Sequence, residues 1–308
     1  VYNFDGWEGS LVKGMKTIAV VGGDLRQMYL AQAFVQSGYT VYAVGFDEGV
    51  EPPEGIIMSD RADIALSLCD AAIFPLPMTL DGKTVNMPLS EHTLDLDDCA
   101  KQLPPASLVF GGRIDENTQA IFERTGHPIE DYFRREEFAV HNAQATAEGA
   151  VEIILRELPT TIYQRRILVT GFGRISKALV RILTAMGAKV TVAARKYGDL
   201  AWAEIWGCQG VHLSNLAECI GEQDVVVNTV PAVVLPRQML SRLSSSCLLV
   251  DLASKPGGVD FETAKQLGLK TIWALSLPGK AAPVTAGEIV KNTIVNMIAE
   301  RRERDGKN

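Results

Sequence analysis

The chain has 308 residues, enough for about two domains of ordinary size. Hydrophobic residues make up 47% and charged residues 22%, the balance of a soluble globular protein, and a net charge of −7 argues against nucleic acid, whose phosphates need a basic surface. No apolar run approaches the roughly 18 residues of a membrane helix, and five scattered cysteines without a CxxC pair give neither a disulfide framework nor a zinc site.

The opening segment Val1–Ser10 is acidic and lacks the apolar stretch of a signal peptide, so the chain reads as cytoplasmic. From Lys16 to about Val140, short apolar runs at Thr17–Val21, Thr40–Gly45, Ala71–Pro75 and Ser107–Phe110 alternate with amphipathic segments such as Leu25–Ser37 and Glu116–Thr125. That alternation predicts a parallel sheet covered on both faces. Asn142–Leu158, "NAQATAEGAVEIILREL", predicts a helix with Asn142 as N-cap and Pro159 just past its end. The strand–helix pattern restarts at Arg166, with strands predicted at Ile167–Thr170, Lys189–Ala193, Asp224–Thr229, Cys247–Leu252 and Lys270–Trp273. A last long helix runs from Val284 to about Arg304, and its apolar face (Ile289, Ile294, Met297, Ile298) packs either on the N-terminal lobe or on a second copy.

The predicted fold is α/β and two-lobed. Residues 15–140 form an N-terminal doubly wound domain, flavodoxin-like or Rossmann-like, completed by the C-terminal helix 284–305. Residues 141–159 form a linker helix, and 160–283 a C-terminal Rossmann dinucleotide-binding domain. The cleft of such a two-lobed chain is the expected place for a ligand.

Two Gly-rich turns share one geometry. In each, the following helix closes on a glycine sixteen positions after the first, Gly38 after Gly22 and Gly187 after Gly171. In the second turn, Gly171-Phe172-Gly173-Arg174-Ile175-Ser176, Gly171 permits the sharp bend and Gly173 lets the backbone approach a pyrophosphate. The helix start then supplies free N–H groups and a positive dipole end. In the first turn Asp24 stands where Gly173 stands, so charge and bulk disfavour a dinucleotide there. The nucleotide is therefore expected in the C-terminal half. At the end of the next strand an NAD site would carry Asp or Glu. This chain has Val190-Thr-Val-Ala-Ala-Arg195-Lys196, whose cations suit the 2′-phosphate of NADP(H). An ordinary solvated basic pair is the bland alternative.

Three further stretches fall at strand ends. Asn228–Pro231 offers Thr229, Val230 and Pro231. "DLASKPGG" (Asp251–Gly258) offers Ala253, Ser254 and Lys255, and "LPGKAAPVTAG" (Leu277–Gly287) offers Pro278. Such residues line nicotinamide pockets, though they are also plain turn formers. Lys255 would place a cation beside the cofactor. Without a dinucleotide, the first turn presents the N–H groups of Gly22 and Gly23, with Asp24 and Arg26, in a form suited to a carboxylate. A structural Asp24–Arg26 pair is the equal alternative. A His-dependent alcohol oxidation of the D-2-hydroxyacid dehydrogenase kind is disfavoured, because no histidine follows His212 and that residue precedes the last strands. His141 reads as structural, and the histidines never reach metal-ligand spacing.

Taken together, "GGDLRQ" (Gly22–Gln27), "GFGR" (Gly171–Arg174), "DLASKPGG" and "LPGKAAPVTAG" closely resemble the family of dipicolinate synthase A subunits of spore-forming bacteria, from about Lys16 to the final helix. Asn142, Thr146, Glu148 and Gly149 fall where that family places such residues in its interdomain segment. The resemblance implies an NADP-dependent oxidation to dipicolinate (pyridine-2,6-dicarboxylate). Its substrate is the dihydro- or 4-hydroxytetrahydrodipicolinate of the lysine pathway. It also implies a flavoprotein-like B subunit of the synthase for a partner, and expression in the mother cell during sporulation. On that reading Arg26 and Lys255 are the expected carboxylate partners, with Ser254 beside them, the Gly22 and Gly23 amides assisting, and Asn142 and Thr146 as polar contacts near the nicotinamide. A non-catalytic NADP-binding protein of regulatory or scaffolding kind, or a reductase of another keto or imino dicarboxylate, are the competing functions, and a homo-oligomer remains open.

Overall fold

Thr17–Val21 (β1) is an apolar, largely β-branched run with four of its five residues buried, as a strand covered on both faces requires. The computed structural model describes residues 15–47, 49 and 51–305, so the opening segment Val1–Ser10 lies outside the described residues. Beside β1 run β2 (Thr40–Val44), β3 (Ile56–Met58), β4 (Ala71–Ile73), β5 (Leu108–Gly111) and β6 (Ile129–Asp131), all parallel, in the order β3-β2-β1-β4-β5-β6. This is the Rossmann order and not the flavodoxin one, which decides between the two forms expected for the first half. The helices of this half are α1 (Leu25–Gln36), α2 (Ala62–Ser67), α3 (Leu96–Gln102) and α4 (Glu116–Arg124), numbered like the strands in chain order.

The described residues fall into two compact units, one running to Ala139 and resuming at Ala282, the other Val140–Ala281. The last helix, α12 (Pro283–Asp305), belongs to the first unit and buries Ile289, Ile294, Met297 and Ile298 in a core with Leu30 and Phe34 of α1. Full burial of each such side chain stabilises by about 1.5–3 kcal/mol. Gly287 permits the approach of the two helices, since a Cβ there would stand 2.6 Å from Leu30 N and 2.7 Å from Arg26 O. The stretch "LPGKAAPVTAG", read in the sequence as a pocket-lining or turn-forming run before the final helix, comprises a short helix, α11 (Leu277–Ala281), and the first turn of α12.

The helix expected to start at Asn142 starts earlier. It is α5 (Glu136–Glu157), with Glu136 and Glu137 in its first turn, where the positive dipole end favours acids. Asn142 is therefore an interior helical residue and not the N-cap. From Ala147 to Ile154 the helix contributes to the core of the second unit, and Gly149 lets it meet α11, its Cβ position lying 3.2 Å from Ala281 Cβ. The second sheet comprises β7 (Arg166–Thr170), β8 (Lys189–Ala194), β9 (Gln209–His212), β10 (Val225–Asn228), β11 (Leu248–Asp251) and β12 (Lys270–Trp273). Between them lie α6 (Arg174–Ala185), α7 (Tyr197–Ile205), α8 (Leu216–Cys219), α9 (Arg237–Leu240) and α10 (Phe261–Gln266). Its order, β12-β11-β10-β7-β8-β9, repeats the order of the first sheet.

Candidate functional site

A doubly wound sheet opens a crevice at the carboxyl ends of its two central strands, where the chain reverses direction across the sheet. In the second unit those strands are β7 and β10. Gly171 leaves β7 at φ +87°, and a Cβ on it would stand 2.7 Å from Thr229 Oγ1, so both conformation and space demand glycine. Gly173 differs. Its φ of −85° suits any residue, and a Cβ there would meet nothing within 4 Å. The space before α6 is open. Gly173 gives that helix no side-chain cap, and the N–H groups of Phe172 and Gly173 have no acceptor among the described residues. Uncapped amides at a helix start are an anion site, so the residues present fit a pyrophosphate.

The turn is held from below. The Thr229 hydroxyl donates to Thr170 O at 2.8 Å and lies 2.7 Å from Ser176 Oγ, and the Phe172 ring packs inward against Trp206 with centroids 5.4 Å apart. Arg174 and Ile175 open α6, and Val230 and Pro231 extend the loop beyond β10. At the end of β8, Arg195 and Lys196 are exposed and form no ion pair among the described residues. His212 stacks on Tyr197 at 5.3 Å with its Nε2 3.1 Å from Arg195 O, which gives it a structural place at the sheet edge.

Beyond β10 and β11 lies a buried polar chain that the sequence did not announce. Thr170, Asn228 and Asp251 are neighbours across β7, β10 and β11, and all three are fully buried. Thr170 Oγ1 donates to Asn228 Oδ1 at 2.6 Å, and Asn228 Nδ2 donates to Asp251 Oδ1 at 2.7 Å. Asp251 also accepts from the N–H groups of Ala253 (2.9 Å), Gly258 (2.7 Å) and Val259 (3.3 Å). The only signal in the sequence was an Asp at the head of a Gly-rich run. Between those anchors Ser254 and Lys255 are exposed, and Lys255 makes no ion pair among the described residues. Trp273 Nε1 donates to Ala253 O at 2.9 Å, while Pro278 is buried within α11. On α5, Thr146 is buried and its hydroxyl donates to Asn142 O at 2.7 Å, within the helix itself.

The first Gly-rich turn is built differently. Gly22 N donates to Val44 O (2.8 Å) and Gly23 N to Asn86 O (2.9 Å), so the amides expected to hold a carboxylate already have backbone acceptors. A Cβ on Gly22 would stand 2.6 Å from Met87 Cγ and 3.1 Å from Asn86 O. The chain's own Val85–Met87 segment fills this crevice. Asp24 caps α1 and binds Arg26 through Nε (2.9 Å) and Nη2 (2.9 Å), while Nη2 also donates to Leu76 O (3.0 Å). Burial lowers the Arg26 pKa, but the hydrogen bond and charge of Asp24 outweigh it and raise it. The geometry shows the Asp24–Arg26 pair, and the N–H groups of Gly22 and Gly23 and the Nε and Nη2 of Arg26 have partners within the chain.

Burial pushes the thiols of Cys69, Cys99 and Cys247 up to about 12, which disfavours a thiolate nucleophile at these positions. Among the described residues there is no cluster of metal-ligating side chains, and no helix is long and apolar enough to cross a membrane.

Residues 17–133 match the family model of the N-terminal domain of the dipicolinate synthase A subunit, and residues 136–250 that of the D-isomer specific 2-hydroxyacid dehydrogenase, NAD binding domain. The dipicolinate synthase A subunit of Bacillus subtilis (strain 168) is 30% identical over 298 residues, covering 96% of this chain and 100% of that protein. The crystal structure of the corresponding subunit from Bacillus halodurans superposes with a TM-score of 0.82 at 29% identity, over 92% of this chain and 98% of that one. The crystal structure of the Bacillus subtilis protein gives 0.81 at 30% identity, over 95% and 100%. The second unit thus carries a nicotinamide dinucleotide-binding domain of the dehydrogenase type. That match ends at Val250, so Asp251 and the lysine loop lie outside it.

Proposed function

The chain belongs to the family of dipicolinate synthase A subunits, and on that premise we propose that it catalyses an NADP-dependent oxidation yielding pyridine-2,6-dicarboxylate. The substrate is dihydrodipicolinate, or 4-hydroxytetrahydrodipicolinate after loss of water. The observation that supports this best is the presence, in one unit, of an open phosphate cradle at Gly173 and an unpaired cation, Lys255, beyond a strand two places away in the sheet. Arg195 and Lys196, exposed and free of ion pairs among the described residues, suit a 2′-phosphate and favour NADP over NAD.

The reaction removes one hydride and one proton from a dihydropyridine ring and leaves it aromatic. Aromatisation drives it, so no strong alcohol-oxidising base is needed, in keeping with the structural place of His212. When bound, the nicotinamide accepts the hydride. The protein's part is to hold a doubly charged ring in place. Lys255 binds one carboxylate by a charge-assisted hydrogen bond, with Ser254 beside it, and the half-buried Asn142, next to Thr146 on α5, supplies polar contacts. A flavoprotein-like B subunit completes the complex, in the mother cell of a sporulating bacterium.

Lys255→Ala tests the reading. The loss of a charge-assisted hydrogen bond should raise KM for the dicarboxylate by about ten- to a hundredfold, with little change in NADP+ binding. Equal effects on both ligands would remove Lys255 from this role. A chain that binds NADP+ but turns over nothing, with or without the B subunit, would be a non-catalytic nucleotide-binding protein.

A further inference from the structure

We propose that Asp251 is a positioning residue for catalysis, holding the Lys255 loop at a fixed place relative to the Gly-rich turn through one buried hydrogen-bond chain. The proposal rests on the reading of Lys255 as the substrate's carboxylate partner. A fully buried carboxylate is costly unless its lone pairs are satisfied, and here four donors converge on it, with no cation paired to it among the described residues. Oδ1 takes Asn228 Nδ2 and Ala253 N, and Oδ2 takes Gly258 N and Val259 N. The backbone donors stand on both sides of Lys255 in the sequence. One carboxylate therefore gathers both feet of the loop, and the exposed tip Ser254-Lys255-Pro256 has little freedom to shift.

The chain continues in the other direction. Asn228 Nδ2 also donates to Val230 O (3.0 Å), and Asn228 Oδ1 accepts from Thr170 Oγ1 (2.6 Å) and Val230 N (3.1 Å). Thr170 directly precedes Gly171, and its carbonyl accepts from Thr229 Oγ1. The cradle for the cofactor and the cation for the substrate are thus joined by Thr170, Asn228 and Asp251, with no exposed link between them. For a hydride transfer, whose rate depends steeply on donor–acceptor placement, such a connection sets where the ring lies. A carboxylate serves here because only it accepts from four donors; an amide would turn its NH2 toward one pair of N–H groups.

The test is Asp251→Asn, alone and combined with Lys255→Ala, in the full chain. Calorimetric titration with pyridine-2,6-dicarboxylate should show affinity reduced by about tenfold or more, and KM for the dihydro substrate should rise alike, while NADP+ affinity changes by less than about threefold. Because Asp251 acts through Lys255, the double variant should be no worse than Lys255→Ala alone. A merely structural role would lower the melting temperature and leave additive effects or an unchanged KM, either of which overturns the proposal. If Lys255→Ala alone leaves dicarboxylate binding intact, the reading of Lys255 fails first, and that result is separable from a failure of Asp251. Should Asp251→Asn not fold, Trp273→Phe removes the indole donor to Ala253 O and keeps a ring facing Phe261. It should raise the same KM by a smaller factor, and no change would overturn the proposal.

Discussion

The two Gly-rich turns have the same strand order, the same reversal point and a glycine at positive φ in the same place, yet one is filled and the other open. In the first unit Met87 and Asn86 crowd Gly22, the Asn86 carbonyl accepts the Gly23 N–H, and Asp24 is tied to Arg26. In the second the equivalent N–H, that of Phe172, has no acceptor among the described residues, and Gly173 faces open space. The difference shows that a doubly wound sheet supplies a crevice but not a ligand. What decides is whether the chain satisfies its own helix-start amides.

The largest effect should come from making the second turn resemble the first. Gly173→Asp places a carboxylate before α6, and like-charge contact with a pyrophosphate should weaken NADP+ binding by about a hundredfold or more. Aspartate is at least as good an N-cap as glycine, so the melting temperature should hold or rise slightly. A parallel loss of stability would show that Gly173 is needed for the fold and break the comparison. Arg195→Ala sharpens it from the ligand side: NADP+ affinity should fall about tenfold with NAD+ affinity unchanged, as competition titrations would show. An equal fall for both would leave Arg195 and Lys196 as a solvated pair. The smallest effect is expected in the first turn. Asp24→Asn keeps the helix cap but removes the charge opposite Arg26, costing about 1 kcal/mol in urea melts with NADP+ affinity intact.

Much of this was legible in the sequence because it depends on local pattern. The runs at Thr17–Val21 and Lys270–Trp273 became strands with those bounds, since buried parallel strands are continuous apolar stretches. The short edge strands Ile56–Met58, Ile129–Asp131 and Gln209–His212 carry too few buried residues to announce themselves. Asn142 misled because an Asn before an apolar run is a usual N-cap, while the acids Glu136 and Glu137 that mark the true start lay upstream. The Val85–Met87 plug and the Asp251 anchor were not legible. Each is a contact made by the folded chain, one across many residues and one among buried side chains, and neither leaves a periodic trace. The place of His212 before the last strands set it aside as a general base in the sequence, and its ring is engaged by Tyr197 and the Arg195 carbonyl.

The most direct measurement is a calorimetric titration of NADP+ into the wild-type chain and into Gly173→Asp. The account predicts one equivalent bound by the wild type and no measurable heat of binding for the variant. Two equivalents in the wild type, or an unaltered isotherm for Gly173→Asp, would contradict it, because the nucleotide would then reside somewhere other than the open turn between β7 and α6.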